Sequence, residues 1–93
     1  MTLSGKQVTA ARDLLGITQA ELAAAIGIER KTIARFEAGV AAPYPANLQK
    51  IQAELERRGI EFTNGTGIGV RLDFAKAEAA SRASSAGGAD VKR

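Results

Sequence analysis

The sequence contains neither cysteine nor histidine. Without cysteine, the chain has no means of forming disulfides, thiolate metal sites or thiol nucleophiles. Without histidine, it lacks the commonest general base and the commonest metal ligand. The sequence also shows no convergent pair of carboxylates. We therefore expect no catalytic residues, no metal site and no cofactor, and an enzyme is a poor hypothesis.

Long apolar runs are also missing. No stretch approaches the roughly 20 residues that span a bilayer, and residues 1–16 lack the continuous apolar segment of a signal peptide. We expect a cytoplasmic protein without a membrane partner. The 93 residues make one small domain. Its net charge of +3 is compatible with a nucleic-acid partner but does not establish one.

Residues 1–59 show the spacing of helices. Ser4 can cap a first helix that ends at Gly16, and Val8, Ala11 and Leu15 mark its buried stripe.

A second helix is predicted by a capping box, in which the Thr18 hydroxyl and the Glu21 carboxylate exchange hydrogen bonds with backbone groups. Gly27 ends this helix, and a third helix at 30–38 follows almost at once, with Ile33 and Phe36 pointing inward. Because the turn is so short, the two helices must cross steeply. A fourth helix is predicted at 45–58.

The segments 60–63 and 68–72 alternate apolar and polar residues around a turn signal at Asn64-Gly65. A two-residue loop would place the apolar residues of the two strands on opposite faces, whereas an odd-numbered loop places them on one face. We therefore predict a β-hairpin with a three- or five-residue loop or a bulge.

The remaining residues, 73–93, are rich in alanine and serine and have almost nothing to bury. Asp73 is a fair helix cap, so we expect either a mobile tail or a marginal helix, with residues 84–93 mobile.

The segment TQAELAAAIGIERKTIARFEAG at 18–39 resembles the helix-turn-helix of the Cro and phage-repressor (XRE-type) family. The matching positions are Arg12, Gln19, Glu21, Leu22, Ala23, Gly27, Ile33, Glu37 and Gly39. The ending GIEFTNGTGIGVRL resembles an extension of many small bacterial members. The resemblance implies a mainly α fold, with a four-helix, lambda-repressor-like domain at 1–59, a β-hairpin at 60–72 and a tail at 73–93.

The resemblance also implies a sequence-specific transcription regulator that inserts its third helix into the major groove of double-stranded DNA. The family's base-reading positions fall on Glu29, Arg30, Lys31 and Arg35. Arginine donates to guanine and glutamate accepts from cytosine, so we expect a half-site that contains G·C pairs. The alternative is that these residues form only a solvated helix face.

Other family positions support the recognition helix. The resemblance places Gln19 on a phosphate, and Lys6 and Thr32 are weaker phosphate candidates. Arg12 and Glu37 resemble a family ion pair that links the first helix to the end of the third, and we expect this pair to be partly buried. Tyr44 could pack within its loop or contact a phosphate, and packing is preferred. The glycines of GTGIG indicate a turn and a strand rather than a phosphate-binding loop.

A homodimer on a (pseudo)palindromic operator is expected, because one recognition helix contacts few bases. The hairpin is the expected dimer surface, since its strands have open edges and its side chains are apolar. The predicted interface residues are Ile60, Phe62, Ile68, Val70 and Leu72. The alternative is a protein-interaction module, such as an antitoxin or co-regulator, whose hairpin and tail bind another protein. No small-molecule ligand is expected.

Overall fold

The computed structural model describes residues 3–88, with side chains described through residue 83. Four helices are followed by a hairpin and a fifth helix. The elements are α1 Gly5–Leu15, α2 Gln19–Ile26, α3 Arg30–Glu37, α4 Pro45–Arg57, β1 Ile60–Thr63, β2 Gly69–Leu72 and α5 Phe74–Gly88. The predicted fold class, mainly helical with a short antiparallel hairpin, is confirmed.

Local hydrogen bonds explain where the first two helices begin and end. The Ser4 hydroxyl accepts from the Gln7 N–H at 3.2 Å, and the Thr18 hydroxyl accepts from the Glu21 N–H at 3.0 Å. Both capping boxes are complete. The Gln7 side chain accepts from the Ser4 N–H, and the Glu21 side chain accepts from the Thr18 N–H. Gly27 adopts a left-handed conformation that turns the chain from α2 into α3.

One hydrophobic core joins the first four helices and the hairpin. Val8 and Ala11 of the stripe predicted for the first helix are fully buried, and Leu22 and Ile33 are fully covered where α2 and α3 pack together. The hairpin contributes Ile60, which is 2% exposed. The core residues are Leu3, Val8, Ala11, Leu22, Ala23, Ile33, Phe36, Ile51, Leu55 and Ile60. Because α1 and α4 both touch the hairpin, residues 60–72 form part of the same packed unit.

The hairpin has the odd-numbered loop that the alternation predicts. Phe62 pairs with Val70 and Thr63 pairs with Gly69, which leaves a five-residue loop at 64–68. In this register Phe62 and Val70 lie on the face that packs against the core. Ile68 lies in the loop, outside β2, and is 56% exposed.

A buried amide attaches the hairpin to α1. Gln7 is 2% exposed, and its Nε2 lies 3.1 Å from the Gly69 carbonyl oxygen and 3.2 Å from the Thr63 carbonyl oxygen and from Asn64 Oδ1. Its Oε1 accepts from the Ser4 N–H at 3.0 Å. Gln7 therefore caps α1 and also holds the hairpin, a double role that no short sequence pattern indicated.

Asp73 caps α5 as predicted, since its Oδ1 accepts from the Lys76 N–H at 2.9 Å. The helix continues through Gly88, so part of the stretch 84–93 that we expected to be mobile is helical. Residues 89–93 lie outside the described residues. The start of α5 packs closely on the chain before β1, because a β-carbon at Gly59 would lie 2.8 Å from the Ala77 nitrogen.

None of the helices in residues 3–88 combines the length and the apolar composition that crossing a membrane requires.

Candidate nucleic-acid interface

The third helix, α3, has one buried apolar face and one exposed cationic face. Ile33 and Phe36 are buried, whereas Arg30, Lys31 and Arg35 are exposed. Since residues 27–29 are the whole connection between α2 and α3, the packing of α2 against α3 fixes the direction in which the cations point. The arrangement is a helix-turn-helix whose second helix presents three cations to solvent.

Glu29 lies just before α3, and its side chain is not used to cap the helix. It occupies the N-cap position, yet its side chain makes no capping hydrogen bond. Its carboxylate lies 4.0 Å from Lys31 Nζ, and the two side chains are 74% and 65% exposed. A pair this exposed contributes little to stability. Both groups are therefore accessible to a ligand.

Arg12 and Glu37 form a nearly buried ion pair between α1 and the end of α3. Arg12 Nε and Nη2 donate to Glu37 Oε2 and Oε1 at 2.7 and 2.6 Å, and the side chains are 13% and 6% exposed. The hydrogen bond to Glu37 is the main reason that the pKa of Arg12 is raised. The resemblance paired these residues, and the structure brings them together.

The pKa of Glu37 reflects two opposing effects. Burial is the largest single influence and raises this pKa, because a carboxylate loses its hydration. Hydrogen bonds from Arg12, Gln19 and Thr9, together with the charge of Arg12, outweigh burial and lower the pKa below its usual value. Glu37 therefore stays ionised at neutral pH and remains available as an acceptor.

Gln19 connects this ion pair to the start of α3. Its Nε2 donates to Glu37 Oε1 at 3.0 Å, and its Oε1 accepts from Arg30 Nη1 at 3.1 Å. Because a carboxylate accepts and never donates, Glu37 fixes which end of the Gln19 amide faces Arg30. The phosphate contact expected for Gln19 stays a prediction, whereas its hydrogen bond to Arg30 was not expected from the sequence.

The start of α1 packs directly against the end of α3. A β-carbon at Gly5 would lie 2.0 Å from the Phe36 carbonyl oxygen, a distance that no real β-carbon adopts. Glycine at this position therefore permits the helix contact that brings Arg12 to Glu37.

A groove of about 560 Å³ separates α3 from the loop and first turns of α4. Thr32 and Arg35 line one side, and Tyr44, Asn47 and Lys50 line the other. Tyr44 is 81% exposed, so the preferred prediction that it packs within its loop is wrong. Its loop runs along the surface and leaves the ring uncovered. Lys50 was not among the residues predicted from the sequence, although it shares a face of α4 with Asn47 at a spacing of three residues.

Lys6 lies apart from the groove of Arg35. It is exposed in the first turn of α1 and lines a separate groove with Phe36 and Gly39, near the C-terminal end of α3. The other two predicted phosphate contacts, Gln19 and Thr32, lie on α2 and α3 themselves.

The five predicted dimer residues divide into three groups by their exposure. Ile60 is 2% exposed, so its placement in an interface is wrong: the helices of its own chain already cover it. Phe62, Val70 and Leu72 are partly buried against the same core. Ile68 is the member of the set that is clearly exposed. The helical part of the chain thus covers more of the hairpin than the sequence suggested.

Comparison with known proteins agrees with this geometry. A helix-turn-helix family model matches residues 8–62, more than half of the 93-residue chain, from α1 into β1. No curated protein matches the chain. The matched family consists of DNA-binding regulators rather than enzymes. The chain therefore belongs to the Cro/C1-type (XRE) helix-turn-helix family and is a DNA-binding transcription regulator.

Proposed function

We propose that this regulator binds a specific two-fold symmetric operator as a homodimer, with α3 in the major groove, on the chromosome in the cytoplasm. The observation that carries the proposal is the cationic outer face of α3. Arg30, Lys31 and Arg35 are exposed, while Ile33 and Phe36 anchor the helix from behind. The major groove is about 12 Å wide and admits one helix.

Base recognition is assigned to the first turn of α3 and to Arg35. A guanidinium has five N–H donors, so Arg30 keeps donors for a base while one nitrogen binds Gln19. Arginine donates two hydrogen bonds to guanine O6 and N7, and Glu29 accepts from cytosine N4. Lys31 completes the set of base contacts. These donors and acceptors favour a half-site that contains G·C pairs.

Phosphate contacts are assigned to the rims of the same surface. Gln19 retains one amide hydrogen beyond the one that it gives to Glu37. Thr32 lines one side of the groove, and Tyr44 and Lys50 line the other. We assign these three residues to one strand of the backbone. Lys6 adds a weaker, peripheral contact. Such contacts set register and orientation, whereas the base contacts set sequence preference.

A dimer follows from how few bases one short helix contacts. α3 has eight residues, and its outward positions cover only part of a half-site. Two copies related by a two-fold axis read two half-sites about one helical turn apart. The operator is therefore expected to be palindromic or nearly so.

The test begins with selection of bound duplexes from a random pool. Binding to the selected duplex and to a scrambled duplex is then measured by fluorescence anisotropy at several salt concentrations. Arg35→Ala is expected to weaken specific binding about ten- to a hundredfold and to relax base preference. Arg82→Ala is the matched control, since Arg82 lies exposed on α5, away from α3.

Two results would contradict the proposal. One is a pool in which no sequence is enriched. The other is equal binding by Arg35→Ala and Arg82→Ala, because α3 would then not be the reading element.

A further inference from the structure

A second groove, of about 370 Å³, lies where the ends of α1 and α4 meet α5. We call it the α4–α5 groove. Its lining combines three apolar side chains with three polar ones: Leu15, Ala77, Ala80, Arg57, Arg58 and Ser81. The three apolar residues are half-buried, and none of the described lining residues is acidic. The groove therefore presents apolar surface beside positive charge.

The two arginines of the groove share one carboxylate. Arg57 donates from Nε and Nη2 to Glu54 at 3.0 and 2.8 Å, and Arg58 donates from Nε to Glu54 Oε2 at 2.7 Å. The Glu54 side chain is 12% exposed, whereas those of Arg57 and Arg58 are 51% and 28% exposed. The carboxylate thus lies behind the guanidinium groups. One positive charge remains beyond the charge that Glu54 neutralises, and it faces the solvent.

Arg58 keeps hydrogen-bond donors for a ligand. No described residue accepts a hydrogen bond from its Nη1 or Nη2. Glu21 does not line the groove, and its carboxylate accepts from the Thr18 N–H at 2.8 Å. The planar fork of an arginine binds a carboxylate through two parallel hydrogen bonds. The hydroxyl of Ser81, on α5, is a further donor in the same groove.

We propose that the α4–α5 groove binds a short acidic segment of another protein, with a carboxylate on Arg58 and an aliphatic side chain against the apolar lining. Charge complementarity selects this partner, because the groove offers guanidinium donors and no carboxylate of its own. The groove is open between its helices and can take an extended chain, whereas small-molecule sites enclose most of their ligand. A nucleic-acid backbone would require a longer row of cations than two arginines that already share Glu54.

The α4–α5 groove lies at the opposite end of α4 from the groove beside α3. Asn47 and Lys50, near the start of α4, line the groove beside α3, whereas Arg57 ends the helix. A rise of 1.5 Å per residue separates Pro45 from Arg57 by about 18 Å. DNA and the partner can therefore be bound at the same time. The inference uses the DNA binding of the family and does not depend on the homodimer.

Selection from a random peptide library tests the chemistry of the partner. The target is the wild-type chain saturated with duplex DNA, so that the cations of α3 are covered and cannot select acidic peptides. The enriched peptides are expected to combine aspartate or glutamate with leucine, isoleucine or valine. A library in which this combination is not enriched overturns the inference.

Two arginine-to-glutamine and lysine-to-glutamine variants locate the bound peptides. Arg58→Gln is expected to weaken binding of the selected peptides at least tenfold, measured by fluorescence anisotropy without DNA. Arg57 still binds Glu54 in this variant, so the fold should persist, which circular dichroism checks. Lys50→Gln is the matched control, because it removes one exposed cation from the first half of α4. Equal peptide affinity for the two variants overturns the inference.

A second pair of variants adds a charge instead of removing one. Ser81→Glu places a carboxylate in the groove at an exposed position of α5, where it competes for Arg58 and repels an acidic peptide. We expect peptide binding to weaken at least tenfold. Ala83→Glu places the same charge on α5 outside the described lining and should leave binding within twofold. If both variants weaken binding equally, or if neither does, the groove is not the binding site.

DNA binding by the same variants separates this site from the proposed function. Arg58→Gln should change the affinity for duplex DNA less than twofold. A loss as large as that of Arg35→Ala would assign the groove to nucleic acid and overturn the inference. If acidic peptides bind through Arg58 while no operator is selected, the groove stands and the proposed DNA specificity fails.

Discussion

Arg12 on α1 and Glu37 at the end of α3 meet through two hydrogen bonds of 2.7 and 2.6 Å, with both side chains largely shielded from water. The pair joins two helices through residues that are 25 positions apart in sequence. Because both charges are shielded from water, removing one leaves the other without a compensating charge. A buried pair nevertheless need not make the fold more stable than apolar residues would.

Removing either Arg12 or Glu37 alone should therefore lower the free energy of unfolding. Glu37→Ala leaves the Arg12 guanidinium shielded and unpaired, and we expect it to lower the free energy of unfolding by about 3 kcal/mol. Denaturant unfolding followed by circular dichroism measures the change. Glu78→Ala is the control, because Glu78 forms an exposed pair with Arg82 and should cost less than about 0.5 kcal/mol. Equal losses for both variants would contradict the structural importance of the pair.

Acid should weaken the fold through the same carboxylate. The folded pKa of Glu37 is lowered, so its contribution to stability is present above the ordinary glutamate pKa of about 4.3 and is lost as the pH falls through the folded pKa. The destabilisation caused by Glu37→Gln should therefore shrink as the pH falls below about 4.

Unfolding curves for the wild type and Glu37→Gln between neutral and acidic pH measure this convergence. Acid sensitivity will not disappear in the variant, because the pKa of Glu54 is also lowered, chiefly by the hydrogen bond from Arg57. A constant difference between the two proteins at all pH values would show that Glu37 titrates alike in the folded and unfolded chains.

The buried Gln7 amide should be required for attachment of the hairpin. Gln7→Leu leaves the carbonyls of Thr63 and Gly69 without this donor, and we expect a loss of about 1–3 kcal/mol. Hydrogen exchange of the β1 and β2 amides should increase more than exchange in α3. Gln49→Leu, at an exposed position of α4, should change neither quantity. Uniform exchange changes across the chain would argue against a local role for Gln7.

The close approach of α1 to α3 should not tolerate a methyl group. Gly5→Ala would force a β-carbon against the Phe36 carbonyl, so the helices must move apart, at an expected cost of about 1–3 kcal/mol. DNA affinity should fall with it, because the end of α3 moves. Gly65→Ala is the control, since a β-carbon there would meet no atom within 4 Å. Thermal melting and anisotropy on the selected operator measure both effects.

Local chemistry explains which parts of the fold could be predicted. A cap such as Ser4 or Thr18 and a stop such as Gly27 act within a few residues, so the sequence states them directly. The alternation on both sides of Asn64-Gly65 likewise restricts the loop to an odd length. These features need no knowledge of distant partners.

Long-range packing explains what was missed. That Gln7 reaches Gly69, or that Gly5 meets Phe36, depends on helix positions that no short pattern encodes. The burial of Ile60 was missed for the same reason. The alternation shows that the apolar residues of the hairpin share a face, but it does not show which elements cover that face. The resemblance supplied the candidate positions on α3, but Lys50 joins them only because the fold sets the first turns of α4 across a groove from α3.

The amide of Gln19 has a consequence for engineering. It is bonded at one end to the scaffold, through Glu37, and at the other to Arg30. Replacing Arg30 removes the hydrogen bond that orients its side chain, so a new residue at position 30 is held in the same way only if it also donates to Gln19. Grafting α3 by itself onto another regulator would therefore transfer only part of its specificity; the portable unit is α3 together with the first residue of α2.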